Sequence, residues 1–228
     1  MKGTRLAILC VLGGAAMVLA SCSTTSRLQA YHLYGSTLSA QLLVPPEPTM
    51  DVHYSVTLDA SNPVVSALSV GSNLAKASQA TKAEQAMREA LTSVDVPGIV
   101  LEQAYSTCVT ALQAQRHDAI DGSDFRLVID IRQYGIQAHS MSGAVTLHMA
   151  LTASIFHVLS GDLVWRRGIT INDAANPQMF GLGDIVGNMV SASTLSEMTP
   201  DQLAVGFKNL AMEAGRSVAR SLERDLNR

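Results

Sequence analysis

Three apolar/polar alternations follow one another between residues 125 and 172, and they restrict this chain more than any other feature. Phe125, Leu127, Ile129 and Ile131 alternate with Arg126, Asp130 and Arg132. Val145, Leu147, Met149, Leu151 and Ile155 alternate with Thr146, His148, Thr152 and Ser154. Leu163, Trp165, Ile169 and Ile171 alternate with Asp162, Arg166, Thr170 and Asn172. Successive side chains of a strand point to opposite faces, so each run predicts a strand that is apolar on one side only. Gly135 to Gly143 and Ser160-Gly161 supply turn residues, and the economical arrangement is an antiparallel meander. Its apolar face must be covered, while its polar face tolerates water.

Helical segments provide the cover. Thr199-Pro200-Asp201-Gln202 is a capping box with proline at the first helical position. Apolar residues then recur at Leu203, Phe207, Leu210, Ala214, Val218, Leu222 and Leu226, one stripe of a long helix. A second helix is predicted from Asp95 and Pro97 to about Gln115, burying Val100, Ala104, Cys108 and Leu112. Residues Leu74 to Leu91 are rich in helix formers. Alternation of Val52, Tyr54, Val56 and Leu58 adds a strand from Asp51 to Leu58. The expected fold is α+β: a two-layer sandwich, mostly antiparallel and four-stranded, with helices on one face in the order β-α-α-β-β-β-α. It forms one domain over 51–228.

The N-terminus is of another kind. Lys2 and Arg5 precede an apolar run from Leu6 to Ala20. As a helix that run reaches only about 22 Å, short of a bilayer core of about 30 Å, so it is expected to be an export signal over 1–21. Leu19-Ala20-Ser21-Cys22 closes it and resembles the lipobox of bacterial lipoproteins. The resemblance implies cleavage before Cys22, a lipid on the Cys22 sulfur and attachment to a membrane. Since Ser23, not Asp, follows the cysteine, it also implies the outer membrane, facing the periplasm. Residues 22–50, which include Pro45, Pro46 and Pro48, are expected to be a lipidated, extended tether, in which Leu38, Leu42, Leu43 and Val44 could still form a short strand or lie against the domain. With Cys10 removed and Cys22 acylated, Cys108 is left without a disulfide partner, and it is expected to be a small buried hydrophobe.

Motifs of catalysis are not found. No Gly-x-Ser-x-Gly elbow or phosphate loop occurs, and the Gly181, Gly183, Gly187 spacing misses the dinucleotide fingerprint and its βαβ context. His139, His148 and His157 lack metal-ligand spacing. No catalytic residue, metal or cofactor is therefore assigned. The charge of −3, made more negative by loss of Lys2 and Arg5, gives no case for nucleic acid.

Two candidate interfaces remain. The segment from Asn176 to Met198 is Gly-rich and apolar, and two readings stay open: Phe180, Leu182, Ile185, Val186 and Met189 are candidate contacts for a protein partner, an acyl chain or a membrane, or the loop folds over the core. Arg216, Arg220 and Arg224, with Arg228, form a basic ridge on the last helix, although cations also suit a helix C-terminus in themselves. The polar sheet face, with His53, Arg126, Asp130, Arg132, His148 and Arg166, is the other surface to consider.

In order of elements and in its anchor the chain resembles two groups of envelope lipoproteins, the auxiliary lipoproteins of ABC-type transport systems and the lipoprotein of the lipopolysaccharide translocon. The resemblance implies a non-enzymatic accessory or binding component of an envelope transport or assembly complex, with a protein partner or a lipid ligand. A periplasmic enzyme without a recognisable motif and a structural surface lipoprotein are the alternatives that the residues leave open.

Overall fold

The computed structural model describes residues 25–43, 49–52, 81–138, 144–175, 177–182 and 190–228. The chain is α+β, and its sheet is mixed. Strands β1 (Thr25–Ser26), β2 (Thr37–Leu42) and β3 (Thr49–Val52) come first. Helix α1, described over 81–93, and helix α2 (Val96–Leu112) follow. Then come β4 (Gln115–Arg116), β5 (Phe125–Ala138), β6 (Val145–His157), β7 (Leu163–Ala174), and helices α3 (Ala192–Leu195) and α4 (Pro200–Leu226). The sheet order is β1-β7-β6-β5-β2-β4, and β3 also pairs with β5.

The meander expected from the alternations is present: β5, β6 and β7 pair antiparallel in sequence order. Leu127, Ile129, Ile131, Leu147, Met149, Leu151, Ala153, Ile155 and Trp165 are buried on the helix side. Two irregularities keep the apolar residues on that side. Arg132 is an extra residue in β5, since Ile131 pairs with Leu151 and Gln133 already pairs with Ala150. The alternation therefore changes parity, and Tyr134 and Ile136 join the core where Gln133 would otherwise have faced it. Val164 does the same in β7, where Trp165 pairs with Ile155 and Leu163 with Phe156. Leu163 consequently falls outside the core that its place in the alternation predicted, and Val164 is buried instead.

Two expectations need correction. Among the described residues the sheet has seven strands, not four, and its antiparallel meander is joined by β2 and β3, which both run parallel to β5, one beside its first half and the other beside its last residues. A parallel neighbour needs a crossover, and the chain between β3 and β5 supplies one that carries α1 and α2. Residues 25–43 are also no tether. Leu28, Leu33 and Leu38 lie in the core, β1 pairs with β7, and β2 pairs with β5. The Pro-rich composition misled here for a simple reason. Proline cannot donate a ladder bond, so it interrupts an edge strand as readily as it marks a linker. The ladder stops with the Leu43 N–H on Ile129 O at 2.9 Å, and pairing resumes at Thr49. The expected strand over 51–58 is found only as far as Val52, as the end of β3; residues 53–58, like 74–80 of the expected first helix, lie outside the described residues.

Both well-defined helices start as their sequences predict. The Asp95 carboxylate accepts from the Gly98 N–H at 3.0 Å at the head of α2. A Cβ on residue 98 would stand 2.1 Å from that carboxylate, so glycine is what lets the cap close. In α4 the Thr199 N–H donates to Gln202 Oε1 at 2.8 Å while the Gln202 N–H donates to Thr199 Oγ1 at 3.3 Å, the two halves of the capping box. The stripe from Leu203 to Leu222 is buried. Helices α2 and α4 cross at small residues: a Cβ on Gly215 would lie 2.8 Å from the Ala104 backbone nitrogen. Cys108 is wholly buried, and burial, helped by the Glu223 charge, pushes its thiol up to about 12.

Candidate interface on the open sheet face

The alternations that bury one face of the sheet leave the other without a helical layer among the described residues. Register places Arg126, Val128 and Asp130 of β5, Ala150, Thr152, Ser154 and Phe156 of β6, and Arg166, Gly168 and Thr170 of β7 on this outer side. Between them runs an open trough of about 510 Å³, which Leu43 and Arg132 also line. Gly168 adds no side chain to its floor and a Cβ there would meet nothing within 4 Å, so the middle of β7 is a flat shelf.

Charge on this face is mostly positive. Arg132 reaches Asp130 at 3.2 Å with its side chain largely in solvent. The Arg166 guanidinium donates through Nε to Ser154 Oγ at 3.3 Å. Arg126 lies over the Phe156 ring at 5.8 Å. Further along, the His148 ring nitrogen Nε2 is 3.2 Å from the Gln133 amide nitrogen, and His148 is buried. The face thus combines arginines, one carboxylate, hydroxyls and a half-buried aromatic ring.

The polar face considered from the sequence is therefore assembled, apart from His53, which lies outside the described residues. The segment read as an apolar interface is placed otherwise. Phe180 is 1% exposed and sits against α4, where a Cβ on Gly206 would come within 2.4 Å of its ring. Its aromatic bulk fills the gap left by a glycine, so at this residue the segment folds over the core and offers no exposed contact. Leu182 is half-buried against the same core. Val190 is buried too, its backbone bonded to Val145 and Ala175 at 2.8 Å each. Ile185, Val186 and Met189 lie outside the described residues. Of the basic ridge, Arg216 and Arg220 both turn to Glu213, at 3.9 Å for Arg216, while Arg224 is exposed. Two of its members are thus partly neutralised within their own helix.

A second concavity lies at the end of the sheet where β6 turns into β7, lined by Tyr31, His32, Tyr34, Asp124 and His157 among others, with a volume of about 430 Å³. The Tyr31 hydroxyl donates to Asp162 Oδ2 at 2.9 Å and Ser160 donates to the same oxygen at 2.6 Å. Those bonds hold the Asp162 carboxyl below the usual range and raise the Tyr31 phenol. Asp124 accepts from the Thr37 N–H at 2.7 Å and its hydroxyl at 2.8 Å, which lowers it as well. This signal was missed in the sequence because its members come from three separated segments. His148 and His157 lie on opposite faces of β6, and among the described residues no three His, Cys, Asp or Glu side chains are placed to hold a metal ion together. No helix among them is long and apolar enough to cross a membrane.

No protein-family model matches the chain, and no curated protein matches it. Solved structures offer distant likenesses. A PelC variant from Paraburkholderia phytofirmans, solved as a dodecamer, is 7% identical, with 81% of this chain and 94% of that chain covered and a TM-score of 0.34. A second PelC dodecamer from the same organism is 12% identical over 82% of this chain and 94% of its own, with a TM-score of 0.32. A Xanthomonas campestris protein of family DUF330 is 14% identical over 56% of this chain and 65% of that chain, with a TM-score of 0.29.

Proposed function

We propose that this chain is a lipoprotein, acylated at Cys22 and held at the periplasmic face of an outer membrane, that serves as a non-enzymatic binding component of an envelope transport or assembly complex. The observation that carries the binding role is the open face of the sheet. Its trough is broad and shallow, floored by Val128, Ala150 and Gly168 and flanked by Arg132 and Arg166. Arginine beside an aromatic ring and small apolar residues is the composition of protein interfaces, whereas small-molecule sites are enclosed and converge on a few polar groups. The anchor is supported by Leu19-Ala20-Ser21-Cys22 behind a basic, then apolar, N-terminus.

The test is photocrosslinking in the native envelope from Thr152 and from Thr170, both on the open face. One and the same protein should be captured from both positions, and Arg132→Glu with Arg166→Glu should cut its yield at least fivefold. Equal capture from Ser106, on the exposed side of α2, or indifference to the charge reversals would remove the open face from the proposal. Independently, Cys22→Ser should abolish labelling by a palmitate analogue and release the chain from membranes.

A further inference from the structure

The lipid would be attached very close to the folded domain. Thr25 is already paired with Arg166, and it lies only three residues after Cys22. Three residues reach at most about 11 Å, so an acyl chain on Cys22 holds the β1–β7 edge against the bilayer rather than suspending the domain from a stalk.

The end of the β1–β7 edge toward which β1 leads, past Ser26 at Trp165, has the chemistry of a bilayer surface. The Arg27 N–H donates to Val164 O at 2.7 Å, which brings Arg27 to the start of β7. The Gln29 amide donates to Leu226 O at 3.5 Å, which brings the end of α4 to the same place. Arg224 and Arg228 project from that end. The adjoining turn between β6 and β7 carries Leu159, 93% exposed and the most exposed of the large hydrophobic residues described. Gly161 closes that turn at φ 74°, donating its N–H to His157 O at 2.8 Å, so Leu159 is held out on a tight hairpin rather than on a loose loop. Two acids of this corner are engaged, Asp225 with Trp165, Arg167 and Arg228, and Asp162 with Tyr31 and Ser160, while Glu223 in the last turn of α4 is exposed. Asp124 is turned to Thr37 on the β2 side.

We infer that this corner docks on an anionic lipid surface, Leu159 entering the interfacial layer while Arg27, Arg224 and Arg228 meet headgroup phosphates. An apolar side chain flanked by cations is how a protein lies on a membrane, and anionic lipids attract each such cation. The inference rests on acylation at Cys22. It also gives the open sheet face a direction, since β7 and its arginines then run near the membrane while the trough opens along it.

The full-length acylated protein, reconstituted in phosphatidylethanolamine vesicles with three parts in ten phosphatidylglycerol, tests this with an environment-sensitive fluorophore on Leu159→Cys and, as the remote position, on Val205→Cys. Val205 lies some 30 Å back along α4 from Asp225. Headgroup-nitroxide lipid should quench the label at 159 at least threefold more than that at 205. Arg27→Glu with Arg224→Glu, or a twenty-residue Gly-Ser insertion between Thr24 and Thr25, should bring the two to the same level without loss of palmitate labelling. Equal quenching in the parent protein, with Cys22 labelled, would overturn the docked corner and leave the anchor standing. No label on Cys22 would overturn both.

Discussion

The single tryptophan donates its indole N–H to Asp225 Oδ2 at 3.0 Å, joining β7 to the last turn of α4. Asp225 is buried, and Arg167 at 3.7 Å and Arg228 at 3.6 Å supply countercharge. Its role is architectural: it fixes the end of α4 over the edge of the sheet.

Removal of this carboxylate strands a buried donor and an arginine on the helix side of the sheet. Asp225→Ala should cost about 2–3 kcal/mol in urea unfolding, and Asp225→Asn, which keeps an acceptor, about half of that. Trp165 fluorescence reports the transition directly. A loss under 0.5 kcal/mol for the alanine variant would show that the indole bond contributes little to stability.

Gly215 sets the distance between α2 and α4. An alanine there would meet Gln103 Cβ at 2.6 Å and the Ala104 nitrogen at 2.8 Å, and backbone cannot step aside cheaply. Gly215→Ala should destabilise by about 1–3 kcal/mol. Gly168→Ala, with open space around it, should stay within about 0.5 kcal/mol of the parent. Equal midpoints for the two variants in thermal unfolding would contradict the close crossing.

Cys108 should resist alkylation at pH 8 in the folded protein and react promptly in denaturant. Its raised value has a consequence for stability. The unfolded thiol ionises near 9 and the folded one near 12, so the unfolded state loses its proton first and stability falls as pH rises through that window. The slope from this group approaches about 1.4 kcal/mol per pH unit. Cys108→Ala should flatten the alkaline limb of a stability profile by that amount, and an unchanged limb would show the thiol to be accessible.

Asp124 acts at the other end of the scale. Its carboxyl is lowered by the Thr37 N–H and hydroxyl, so its contribution is present above its unfolded value and is lost as pH falls through the lower, folded one. Because the group is largely exposed, the contribution stays under about 1 kcal/mol. Asp124→Asn should reduce acid sensitivity only below about pH 4, measured as the urea midpoint against pH.

Residues that act through local geometry were legible in the chain itself. The caps at Asp95 and Thr199, the stripe on α4 and the alternation in β5 to β7 all depend on neighbours within a few positions. Parity changes at Arg132 and Val164 were not legible, because a bulge is revealed only by what lies across the ladder. The core role of Leu28, Leu33 and Leu38 was hidden for a related reason: β2 finds its partner in β5, far along the chain. The role of Phe180 could not be decided in the chain, because an apolar residue in a Gly-rich segment looks the same whether it awaits a partner or fills the hollow at Gly206. The open face could be read almost whole, since exposure of every second residue follows from burial of the others.

The parallel pairing of β2 with β5 sets a timetable for the nascent chain. Thr37 is bonded to Asp124, 87 residues later, so β2 is made well before its neighbour exists. At synthesis rates of about 5–20 residues per second that interval lasts on the order of 4–17 s. For that time Leu38, Ala40 and Leu42 form an apolar strand with no ladder to join, and the later meander must gather it in.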